Sequence, residues 1–243
     1  KSKTLSDDRR SVLAGGLSIL QATFEALKIE RMQIAQGALR EGLLYDLIGR
    51  IKHADVREAA VQAMAGRYQV DAAHAARVEA LALRLLEQLA PAWGLTHPMY
   101  PTWLHWAAVL HEVGLVIAHS QYHRHGAYLV QHSDLAGFSV RDQTLLAVLV
   151  RGHRRKPPRE ELAALPKVLE EPARKLIVLL RLAVLLRRDR ADVALPEVIA
   201  KADGNQLALR FPDGWLEAHP LTCADLAGER KFLEAFNLEL KFA

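Results

Sequence analysis

Between Val56 and Arg188 the sequence consists largely of segments in which apolar residues return every three or four positions. That period belongs to the α-helix, since a half-buried strand would alternate with period two. The spacing predicts helices over 56–68, 71–89, 100–117, 123–132, 141–153 and 172–188. Asp71 and Ser139 stand where N-caps belong, and Pro172 suits a first helical turn. Pro91, Gly94 and Pro98 mark one connection; Pro157, Pro158 and Pro166 mark another. The expectation is an all-helical domain over 51–195.

The flanks have a different texture. Residues 7–27 carry Val12, Leu13, Leu17, Leu20, Phe24 and Leu27 at helical spacing, interrupted by Gly15-Gly16. A glycine pair costs up to about 1 kcal/mol per residue inside a helix, so close packing or a nearby ligand is expected there. Residues 31–35 alternate as a short strand, Gly37 turns the chain, and 39–48 reads as a helix, giving an α/β piece over 1–50. Toward the end, Asp203-Gly204-Asn205 separates two short apolar runs, which signals a hairpin. A helix over 225–236 and a strand over 238–242 complete a small α+β lobe spanning 196–243. The fold class expected is therefore mainly α, between an α/β piece and a small α+β lobe.

Composition narrows the setting. Half of the 243 residues are apolar and a quarter charged, as in ordinary globular proteins. No charge-free apolar run approaches the roughly 18 residues of a membrane span, and the start does not read as a signal peptide. A single cysteine, Cys223, cannot form an internal disulfide, which suits a reducing cytoplasm. The opening Lys1-Ser2-Lys3 runs straight into a helical pattern, so the sequence is expected to begin inside a larger protein. The net charge of +4 says little by itself; its distribution matters more.

Eleven histidines are spread unevenly, with His105, His111, His119, His123, His125 and His132 close together, His74 one helix earlier and His153 one helix later. His111-Glu112 falls on an apolar helix. A buried His-acid pair with an earlier helical histidine resembles the HD phosphohydrolase pattern, which implies a divalent metal that activates water. The candidate ligands are His74, His111 and Glu112. Two departures weaken a catalytic reading. The acid is Glu112 in place of Asp, and Val184 stands where a late aspartate is expected. A structural hydrogen-bonding role is the favoured alternative.

A more specific resemblance runs through the whole chain in order. It covers Gly37-Ala38-Leu39-Arg40-Glu41-Gly42, then His111-Glu112-Val113-Gly114, then the His119–Leu129 segment with Tyr122, His123, His125 and Tyr128. It continues through Ser133-Asp134-Leu135 with Gly137-Phe138, Leu149-Val150-Arg151 with His153-Arg154-Arg155-Lys156, Leu180-Arg181-Leu182-Ala183 and Leu209-Arg210-Phe211. This set is similar to the C-terminal part of the exopolyphosphatase / guanosine pentaphosphate phosphohydrolase family. The resemblance implies that residues 1–50 are the tail of an actin-like ATPase-type lobe, with Gly15, Gly16 and Arg40 facing its cleft. It implies a degenerate HD-like helical domain, Mg²⁺ in the full-length enzyme, and catalytic groups upstream of residue 1. A homodimer is also implied.

The charge pattern independently suggests a polyanion site. Arg151, His153, Arg154, Arg155, Lys156 and Arg159 form the densest basic run, and His119, His123, Arg124 and His125 a second cluster. Arginine forks grip phosphate oxygens in pairs and lysine acts as a point charge. The competing reading is a solvated helix C-terminus, which favours basic residues anyway. Arg187-Arg188-Asp189-Arg190 is read as such a solvated face. The functional expectation is an acid-anhydride hydrolase acting on inorganic polyphosphate or guanosine pentaphosphate, with this part holding the distal chain. The alternatives are an HD-type metal phosphohydrolase acting on nucleotides and a non-enzymatic polyanion- or alarmone-binding module. Nucleic acid is the lesser expectation, and no membrane partner is expected.

Overall fold

The computed structural model describes residues 7–32, 55–190 and 195–243. They belong to two compact units, Lys1–Ile48 and Gly49–Ala243. In the first, α1 spans Asp7–Leu27, as its periodicity predicts. Arg31 and Met32 are irregular, so the predicted strand does not start there. The rest of that strand, the Gly37 turn and the 39–48 helix lie outside the described residues, as does Arg40.

The second unit is helical over most of its length. Its first helices are α2 (Val56–Arg67), α3 (Ala72–Trp93) and α4 (Tyr100–Leu110). A 3-10 turn at Val113–Val116 leads to α5 (Tyr122–His132), α6 (Val140–Gly152), α7 (Arg159–Ala163) and α8 (Lys167–Leu186). The caps behave as their chemistry dictates: Asp71 accepts from His74 N at 2.9 Å and Ser139 Oγ from Asp142 N at 3.1 Å. Apolar faces of α3, α4, α6 and α8 meet in one core around Leu85, Trp106, Leu149 and Ile177, all fully buried.

Several boundaries differ from the sequence reading: the helix expected over 225–236 spans Pro220–Glu234, and three others shift for a local reason. The helix expected over 100–117 ends at Leu110, and Val113–Val116 tightens into a 3-10 turn. Gly114 there lies against the start of α5 so closely that a Cβ would sit 2.0 Å from Tyr122 O. Helix α8 begins at Lys167, a turn before Pro172, and Glu170 pairs with Lys167 and Arg174 along that added turn. Pro91 does not end α3, which continues to Trp93 and stops at left-handed Gly94, φ 65°. The single-turn helix α7 leaves too short a periodic signal to read.

The C-terminal section packs within the same unit. Strands β1 (Ile199–Asp203) and β2 (Gln206–Arg210) form the predicted hairpin, pairing Ile199 with Arg210 and Asp203 with Gln206. The short α9 (Trp215–Ala218) and α10 (Pro220–Glu234) then return the chain, so that β3 (Glu239–Phe242) lies parallel to β2. Gln88 of α3 fastens the sheet: its Oε1 accepts from Ala200 N at 2.7 Å and its Nε2 donates to Val198 O at 3.1 Å. Among the described residues, no helix is long and apolar enough to cross a membrane.

Candidate functional site

The basic run and the histidine loop come together where α6 ends and α5 begins. Two close approaches make this possible. Gly114 lets the 3-10 turn rest on the Tyr122 backbone, and Gly152 lets the end of α6 press on α8, where a Cβ would meet Ile177 Cδ1 at 2.7 Å. Any larger side chain would push α5 or α6 outward. Just beyond, Arg155 takes a left-handed turn, φ 61°. That turn is held from below by the buried Arg181, whose Nη1 donates to Gly152 O at 2.8 Å and Arg155 O at 2.9 Å.

The result is a cavity of about 520 Å³ lined by His119, Arg124, Arg151, Arg154, Arg155 and Lys156. Ser120, Gln121 and the buried His123 complete its wall, and no lining residue is acidic. Arg154 stacks over the Tyr122 ring, 4.5 Å from its centroid. Arg151 Nη1 is buried with no hydrogen-bond partner, although Nε lies 3.6 Å from Glu161. Burial, then the charges of Arg151, Arg154, Arg124 and Arg155, pushes the His123 imidazole down to about 3. An anion entering the cavity would meet four arginines and a lysine and no carboxylate.

A second cavity of about 600 Å³ adjoins the first, sharing His119, Arg154 and Arg155. His74 and Glu112 lie in its wall, facing Arg188, Arg190 and the α10 residues Asp225 and Glu229. Behind it the imidazoles run in a buried row: His74 to His111 at 5.6 Å between centroids, His111 to His153 at 5.4 Å, and His153 to His123 at 6.2 Å. Burial lowers the pKa of each, that of His111 to about 4, so all are neutral imidazoles near pH 7. His74, His111 and Glu112 each offer one donor atom, and these lie within 4.8 Å of one another. The donor set does not suit Mg²⁺, which prefers oxygen ligands, whereas two imidazoles and a carboxylate suit a borderline transition ion. Val184 also lines this cavity and supplies no ligand.

Most of the sequence-predicted anion residues therefore share one cavity. Three do not line it: His153 is buried beneath it and opens only on the second cavity, while half-buried His125 and Arg159, the first residue of α7, line neither. Gly15 and Gly16 sit inside α1, and a Cβ on either would meet nothing within 4 Å.

Both parts of the sequence match known families. Residues 56–230 match "Ppx/GppA phosphatase, domain III", and residues 1–51 match "Ppx/GppA phosphatase family". The chain belongs to the Ppx/GppA phosphatase family. Among curated relatives, one from Pseudoalteromonas translucida is 38% identical over 230 residues, covering 93% of this chain and 46% of the relative. One from Aeromonas hydrophila is 37% identical over 225 residues, covering 93% and 45%, and one from Vibrio vulnificus is 38% identical, covering 91% and 44%. All three carry the name guanosine-5'-triphosphate,3'-diphosphate pyrophosphatase. The chain thus spans slightly less than half the length of these relatives, and its match is to the C-terminal part of the Ppx/GppA architecture.

Sequence reasoning missed Arg190, which it took for a solvated helix end. In the fold, Arg190 Nη2 donates to Glu112 Oε1 at 2.6 Å, and Arg188 pairs with Asp225 at 2.7 Å. Tyr122 as the platform for Arg154 was also missed. Neither partner is near in sequence, so no local signal marks these contacts.

Proposed function

We propose that this chain is the polyanion-holding part of a Ppx/GppA enzyme that hydrolyses a terminal phosphoanhydride of guanosine-5'-triphosphate,3'-diphosphate or of inorganic polyphosphate. The observation that carries this reading is the acid-free cavity walled by Arg124, Arg151, Arg154, Arg155 and Lys156, with a buried Arg151 nitrogen lacking a partner. Arginine forks placed around a concave wall suit tetrahedral phosphate oxygens, and several weak contacts along one chain retain a multivalent substrate between encounters. The names of the relatives favour the guanosine substrate; the family resemblance leaves polyphosphate beside it. Mg²⁺ and the hydrolytic step are assigned to actin-like lobes, with Gly15 and Gly16 turned to their cleft. Homodimerisation in the cytoplasm is part of the same proposal, and sedimentation of the purified protein tests the dimer.

The test is titration of the chain with long-chain polyphosphate and with guanosine pentaphosphate at two salt concentrations, with phosphate release followed in parallel. Salt-sensitive binding that Arg154→Glu/Arg155→Glu weakens, more for long chains than short ones, is the expected result. Equal loss at both lengths would refute the extended-groove reading. The alternative of an HD-type nucleotide phosphohydrolase draws on His74, His111 and Glu112. It requires metal-dependent phosphate release by this chain alone. A non-enzymatic module predicts that RNA competes with polyphosphate as well as polyphosphate itself does.

A further inference from the structure

A buried imidazole nitrogen without a partner costs stability, and such atoms point to something they are built to hold. His111 is fully buried, its Nδ1 donates to Ala108 O at 2.7 Å, and its Nε2 has no hydrogen-bond partner. The carbonyl keeps the proton on Nδ1 and leaves a lone pair on Nε2, which is the tautomer a metal ligand needs. His111 Nε2 lies 4.0 Å from Glu112 Oε1, and His74 Nε2 lies at the same distance from the same oxygen.

That Glu112 oxygen is already held by Arg190. Its Nη2 donates to that Glu112 oxygen at 2.6 Å, while Nη1 lies 3.5 Å from Asp71. Arg190 follows the end of α8 in a left-handed conformation, φ 57°, and its side chain is 45% exposed. Unlike the two histidines, it can leave for solvent without opening the core.

We propose that His74 Nε2, His111 Nε2 and one Glu112 oxygen form a site for a borderline divalent transition ion of the Zn²⁺ or Co²⁺ class, and that the Arg190 guanidinium fills this place until the ion displaces it. Bonds of about 2.1 Å place tetrahedral ligand atoms about 3.4 Å apart. The two 4.0 Å separations, within a donor set spanning up to 4.8 Å, therefore need to close by roughly half an ångström or more once Arg190 swings away. Three protein ligands leave a fourth position open to water from the second cavity. The site is independent of the polyanion reading, because none of its ligands lines the first cavity.

The experiment titrates the whole chain, stripped with chelator, with Co²⁺ while visible absorption is recorded, and with Zn²⁺ and Mg²⁺ by calorimetry. One equivalent of Co²⁺ producing a d–d band, and no binding of Mg²⁺, is the expected outcome. Arg190→Ala should bind Co²⁺ about tenfold more tightly, since a competing charge-assisted hydrogen bond has been removed. His111→Gln and Glu112→Gln should each abolish the band, with circular dichroism checking the fold; if either fails to fold, His74→Gln replaces it. Failure of stoichiometric binding in both the parent and Arg190→Ala would overturn the site. So would binding that survives the loss of two ligands. Unchanged affinity in Arg190→Ala would overturn the displacement by Arg190.

Discussion

Arg181 and Glu229 form a buried ion pair, Nε to Oε1, that ties α8 to α10. The same guanidinium holds the carbonyls of Gly152 and Arg155, so one side chain joins the C-terminal helix to the turn that presents the basic run. Burial raises the Glu229 pKa and the Arg181 contact opposes that rise, so removing the arginine strands an acid in the core. Arg181→Leu is expected to cost about 3–5 kcal/mol in urea unfolding, the usual penalty for breaking a buried pair from one side. Arg181→Lys keeps the charge but not the fork, and should stay folded with weaker polyphosphate binding. Full binding by Arg181→Lys would show that the Arg155 turn does not depend on it.

Two glycines should respond oppositely to alanine. At Gly114 a Cβ would sit 2.0 Å from Tyr122 O and 2.4 Å from Gly126 N, both backbone atoms that cannot step aside. Gly114→Ala should therefore cost about 3 kcal/mol, the upper end of overpacking penalties, and loosen the His119–His123 loop. Gly66 lies inside α2 with nothing within 4 Å of its would-be Cβ, so Gly66→Ala should stabilise by up to about 1 kcal/mol. Thermal or urea unfolding of the two variants side by side checks both signs.

The Tyr122 ring supports the Arg154 guanidinium at 4.5 Å. Tyr122→Leu should reduce polyanion affinity by roughly two- to fivefold, corresponding to a cation–π contact of about 0.5–1 kcal/mol. Tyr122→Phe keeps the ring and should lose less. Equal losses in the two variants would assign the effect to the hydroxyl.

Acid should destabilise the fold through His123. In the unfolded chain its imidazole titrates near 6.5, whereas burial and the surrounding arginines depress it to about 3 when folded. The depressed folded value means the contribution is intact above pH 6.5. As pH falls from 6.5 toward 3, the unfolded state takes up the proton and the folded state resists, at up to about 1.4 kcal/mol per pH unit. His123→Asn should flatten the fall in stability over that window in urea midpoints measured from pH 7 to pH 4. An unchanged slope would mean that His123 does not carry the acid sensitivity.

The sequence by itself determined the helical second unit, because apolar residues at helical spacing have few other ways to bury one face. It also determined the hairpin at Gly204-Asn205, because the left-handed backbone at Gly204, φ 53°, favours glycine. It marked His111-Glu112 and the Arg151–Lys156 run, since each is a local cluster visible along the chain. What it left to the tertiary structure were the partners. Arg190 looked like a solvated helix end until the chain brought Glu112, 78 residues earlier, within 2.6 Å of it. His153 looked like a phosphate donor until α6 pressed against α8 and buried it beside His111. The break at Leu110 also depended on a neighbour, because Gly114 turns where α5 approaches it. Periodicity reports which face of a segment is buried, but only packing reports what that face meets. A charged side chain's role depends on that encounter.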